Sequence, residues 1–141
     1  MVFSSLKKIA DGVTGKVKSA FDRVANVEEM EAVVSAAVLI AAADGSVSDA
    51  EKEIAFQAIA DHESLSAFSK EIIRKAFDSD AKLVKADYEE ASAVLLGKIS
   101  KVKDATARIR TLGIVKEIAA ADGDFNKAEQ AIVEKIRQAM R

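Results

Sequence analysis

Apolar residues recur at helical spacing along most of this chain. At the start, Phe3, Leu6, Ile9, Val13, Val17 and Phe21 advance in steps of three and four, which places them on one face of a helix. Lys7, Lys8, Lys16, Lys18 and Arg23 fall elsewhere around it. Gly12 and Gly15 weaken this helix by roughly 1 kcal/mol each relative to Ala. Residues 1–25 therefore read as a basic amphipathic arm ahead of a helical domain over 26–141. Two fates for the arm stay open: packing on its own core, or lying on a membrane surface or partner.

A second helix is expected over 28–43, with an acidic first turn (Glu28, Glu29, Glu31) at the positive end of the dipole. Its last two turns are apolar all round, which predicts the buried centre of the domain. A helix over 49–61 follows, with Ile54, Ala58 and Ile59 inward. A break at His62–Ser66 leads to a helix over 67–77 with Phe68, Ile72, Ile73 and Phe77 as its stripe. Asp78-Ser79-Asp80 reads as a solvated loop and Leu83-Val84 as a short turn. Asp87 with Glu90 three residues later is a capping-box pair, opening a helix that uses Tyr88, Val94, Leu95 and Ile99. A helix over 104–121 buries Ile109, Leu112, Ile114, Val115 and Ile118. The last, over 127–140, places Ile132, Val133, Ile136 and Met140 on one face.

Composition sharpens this picture. The chain has 141 residues and no proline, and its frequent Ala, Lys and Glu are strong helix formers. No alternating strand pattern competes, so the expected class is all-α: one domain of six to seven helices. A net charge of −2 gives no electrostatic case for nucleic-acid binding. With no cysteine, disulfides, thiolate metal sites and cysteine nucleophiles are excluded. The longest all-apolar run, Ala36–Ala43, is far too short to span a bilayer. No signal peptide is visible, so a cytoplasmic protein is expected, with peripheral contact at the inner membrane face through the arm.

The chemistry lies in a repeat. Ile40-Ala41-Ala42-Ala43-Asp44-Gly45-Ser46-Val47-Ser48-Asp49-Ala50-Glu51-Lys52-Glu53-Ile54 returns as Ile118-Ala119-Ala120-Ala121-Asp122-Gly123-Asp124-Phe125-Asn126-Lys127-Ala128-Glu129-Gln130-Ala131-Ile132, with 9 of 15 positions identical. Each copy matches the back half of a calcium-binding EF-hand loop: Asp, a Gly for the sharp turn, a carbonyl position, a buried apolar residue, a side-chain oxygen, then Glu. The front half fails, because its ligand positions fall on Ile40, Ala42, Ile118 and Ala120. Capping offers a second account. Ser48 with Glu51, and Asn126 with Glu129, are capping-box pairs, and each Gly suits a helix exit. Asp44 and Asp122 fit capping less well, since an acid at a helix C-terminus opposes the dipole. The repeat further predicts an internal pseudo-two-fold arrangement of two helix–Asp-Gly turn–helix units.

These two elements resemble the tellurite-resistance TerB family, whose signature is a small-residue helix end, Asp-Gly, an apolar residue and a helix beginning with Glu. The resemblance runs from the basic start around Phe3–Phe21 through Asp44-Gly45 and Ser66–Phe77 to Asp122-Gly123. It implies an all-helical domain with no enzymatic reaction and a divalent-metal or acidic-patch site. Asp44, Glu51, Asp122 and Glu129 match the family's acidic positions, and Asp124 adds a carboxylate to the second turn. Ca²⁺ is the first expected ion. Lys127, standing where the first copy has Asp49, makes the second turn less negative. The resemblance also implies a stress-response setting, with a TerC-like integral membrane protein and other ter-system proteins as partners.

Elsewhere the sequence offers little chemistry. His62 is the single histidine, placed at a helix end where imidazole can meet free carbonyls. No strand-to-helix nucleophile elbow and no phosphate-binding glycine loop is present. Two other readings remain: a metal-assisted hydrolase using the same carboxylates, and a purely structural helical adaptor.

Overall fold

Asn26 starts the first helix, α1 (Val27–Ala41), by accepting a 2.8 Å hydrogen bond from the Glu29 backbone N–H. In this computed structural model, which describes residues 24, 26–43, 49–120 and 127–141, eleven of the fifteen α1 residues are buried, Ala32 through Ile40 without interruption. A helix apolar on every side needs neighbours on every side. α1 has them in α2 (Asp49–Ala60), α3 (Lys70–Ala86), α4 (Tyr88–Ser100), α5 (Ala105–Ala120) and α6 (Lys127–Ala139). Full burial of a side chain such as Leu39 or Val33 contributes about 1.5–3 kcal/mol, so α1 is the main source of core stability.

The outer helices start where the sequence supplies oxygen caps. Ser69 accepts from Ile72 N–H at 3.2 Å and opens α3. Asp104 accepts from Ala107 N–H at 2.9 Å and opens α5. Asp87 ends α3, donating its N–H to the Leu83 carbonyl, and opens α4 by accepting from Glu90 N–H at 3.1 Å. One residue thus joins α3 and α4 into a hairpin. Between α2 and α3, Glu63–Leu65 form a single 3₁₀ turn, and Ser64 accepts from Val24 N–H at 2.8 Å.

The all-α class holds: the described residues form six α-helices and one 3₁₀ turn, with no strand. Among them no helix is long and apolar enough to cross a membrane. The expected arm over 1–25 lies outside the described residues except for Val24, which is fully buried.

The helix expected to end at Phe77 instead runs unbroken to Ala86. The segment read as a loop and a turn lies inside it. Asp78-Ser79-Asp80 contains no Gly or Pro to stop a helix, and Asp80 occupies the next position of the buried stripe after Ile73 and Phe77. Three apolar side chains expected inside are also exposed: Ile72 by 48%, Val94 by 45% and Ile109 by 75%. Ile72 and Val94 are rotated about 100° from the inward Ile73 and Leu95, and Ile109 about 200° from Ala107.

The order helix, Asp-Gly segment, helix occurs twice, in α1–α2 and in α5–α6. The two leading helices differ in burial. α1 is enclosed, whereas α5 exposes Ile109, Gly113 and Lys116.

Candidate functional site

Of the five carboxylates expected to form the site, Asp44, Asp122 and Asp124 lie outside the described residues. Glu51 and Glu129 lie in α2 and α6, and their side chains are likewise outside the description. The frame around them is defined. α1 closes with the Ala42 N–H on the Val38 carbonyl at 3.0 Å. α2 begins at Asp49 and α6 at Lys127, so Glu51 and Glu129 are each the third residue of their helix. That is the position from which a glutamate closes a capping box. The two copies therefore enter their second helices in the same register.

The first residues of those helices differ in charge. Asp49 has a fully exposed side chain and pairs with Lys52 at 3.3 Å. Lys127 is exposed. Among the described residues no group of three or more His, Asp or Glu side chains is arranged to hold a metal ion.

Three buried polar contacts were not legible in the sequence. Glu29, 1% exposed, receives Arg110 on both carboxylate oxygens at 2.7 and 2.6 Å, which ties α1 to α5. Asp80, also 1% exposed, accepts the Ser35 hydroxyl at 2.7 Å and the Lys98 ammonium at 2.8 Å. That contact pins the α3–α4 hairpin to the central helix. Both carboxylates have both oxygens engaged, as buried charges require.

The third contact is His62, 4% exposed. Its Nδ1 accepts the Ser64 N–H at 3.2 Å and its Nε2 lies 3.1 Å from Glu117 Oε2. A nitrogen that accepts an N–H carries no proton, so the neutral ring holds its hydrogen on Nε2 and donates it to Glu117. The expected contact with helix-end carbonyls is replaced by a cap on the 3₁₀ turn and a bridge to α5. Both ring nitrogens are occupied.

The chain matches the family model described as tellurite resistance protein TerB over residues 11–141. The chain belongs to the TerB family. The matched stretch takes in both copies of the repeat and every described helix of this TerB chain. No curated protein and no solved structure matches it.

Proposed function

We propose that this TerB protein is a non-enzymatic stress-response component of the tellurite-resistance system that binds a divalent cation at its two acidic turns. Asp44 and Glu51 serve the first turn, and Asp122, Asp124 and Glu129 the second. Ca²⁺ is the favoured ion, because the donors are hard oxygens and no histidine nitrogen or thiolate accompanies them. The observation that carries this reading is the shared register: Glu51 and Glu129 both stand third in helices that follow an Asp-Gly segment, inside a family match that spans both. Four or five oxygens per turn fall short of the 6–8 that Ca²⁺ prefers, so an affinity near ~10⁻⁴ M is expected.

In this reading the loaded turns present a charge-matched surface to a partner, a TerC-like integral membrane protein or another ter-system protein. The arm over 1–25 holds the complex at the inner face of the cytoplasmic membrane. Each basic residue near an anionic surface contributes about 1 kcal/mol, and that contribution weakens as salt rises.

Calorimetric titration with Ca²⁺, Mg²⁺, Mn²⁺ and Zn²⁺ tests the ion site. The wild type should bind Ca²⁺ in the sub-millimolar to millimolar range, and the D44N/D122N double variant should lose most of that heat. Equal heats from the two proteins would refute the assignment. Sedimentation with anionic liposomes, comparing the full chain with one starting at Glu28, tests the arm, and equal partitioning would remove the membrane reading.

A further inference from the structure

A groove of about 390 Å³ runs between α2 and α3, away from the buried contacts described above. Its floor is apolar: Phe77, 3% exposed, and Ala81. Phe77 is held edge-on against Phe56, with ring centroids 5.8 Å apart and planes at 68°. The Arg74 guanidinium lies 3.7 Å from the centroid of the Phe56 ring. It donates to both oxygens of Glu53 at 2.8 and 2.7 Å, with Asp78 3.9 Å away. The back of the groove is thus a fixed stack rather than a set of loose side chains.

Pairing then determines which charges remain for a ligand. Asp49 is taken by Lys52, and Glu53 and Asp78 by Arg74. Lys82 and Lys85 have no hydrogen-bond or ion-pair partner among the described residues. They are three apart on α3, so they project from one face as like-charged neighbours. An anion placed between them relieves that repulsion. The planar fork that best matches a carboxylate is already occupied by Glu53. The two free ammonium groups act as point charges and suit a compact dianion.

The geometry points to a binding site for a small phosphate monoester with an apolar body, the phosphate between Lys82 and Lys85 and the body in the groove over Ala81. This site needs no metal ion. The test is amide NMR titration of the full chain in EDTA with phenyl phosphate, inorganic phosphate and benzoate as probes. Phenyl phosphate should shift amides in 49–53 and 74–85 and bind at least 10-fold tighter than either other probe. K82Q/K85Q should weaken it at least 10-fold, while the exposed control K135Q leaves it unchanged. Shifts scattered over the surface, equal binding of phenyl and inorganic phosphate, or equal affinity in K82Q/K85Q would each overturn the assignment. Because EDTA removes divalent ions, failure here leaves the ion-site reading standing, and success does not depend on it.

Discussion

Replacing Lys98 with Met should cost this protein more stability than replacing its partner Asp80 with Asn. The asymmetry follows from exposure. Asp80 is 1% exposed and Lys98 27% exposed, with their charged atoms 2.8 Å apart. Lys98→Met leaves a carboxylate in the core with only the Ser35 hydroxyl, at 2.7 Å, to stabilise its charge. Breaking a buried pair from one side costs about 3–5 kcal/mol. The partial exposure of Lys98 places this case near the lower end, about 3 kcal/mol. Asp80→Asn removes a charge-assisted bond, but the amide oxygen still accepts from Ser35 and the ammonium can turn to water. Its cost should be about 1–2 kcal/mol. The double variant should cost less than the sum of the singles, because the stranded carboxylate is gone. Urea unfolding followed by circular dichroism reads this as midpoint shifts at constant slope. A Lys98→Met variant no less stable than Asp80→Asn, or singles that add, would refute the reasoning.

Three further outcomes follow from the same contacts. Bonding to Arg74 holds the Glu53 carboxyl below its ordinary range. That contribution to stability is present above the ordinary glutamate pKa and is lost as pH falls through the lowered folded value, so the stability gap between wild type and Glu53→Gln should close in acid unfolding. Burial pushes the Tyr88 phenol above its ordinary value, and its hydroxyl has no hydrogen-bond partner among the described residues. A raised folded value means stability is retained below pH ~10 and lost as pH climbs past it; Tyr88→Phe should abolish that alkaline loss and leave neutral-pH stability unchanged or higher. Ile109→Ala should stay within about 0.5 kcal/mol of wild type, whereas Ile136→Ala, from a fully buried side chain, should cost about 2–5 kcal/mol by the same urea assay.

The sequence expectations succeeded where one local rule sufficed. Periodicity located α1, α2, α5 and α6 to within two residues, and the Asp87 cap located the start of α4, because a cap and an apolar face act over one or two turns. They failed at Asp80, where a charge sits in a stripe of Ile73 and Phe77. What makes that charge tolerable is Lys98, 18 residues on, and Ser35, 45 residues back. No local pattern announces a partner at that distance. Glu29 with Arg110, 81 residues apart, is the same case. Ile109 misled in the opposite direction: an apolar residue in a helix belongs to the core only when its angle agrees. For the candidate site, the register of Glu51 and Glu129 was legible as a repeated capping pair. The Lys82–Lys85 groove was not, since it exists only because α2 and α3 lie side by side.

Amide NMR across a Ca²⁺ titration tests the central claim most directly, because it reads each turn separately. Loading to millimolar Ca²⁺ should shift amides in 43–51 and in 121–129 together, with midpoints near ~10⁻⁴ M. Asp44→Asn should silence the first set alone and Asp122→Asn the second. If neither segment responds at millimolar ion, or if both single variants respond like wild type, the acidic turns are helix caps and not an ion site.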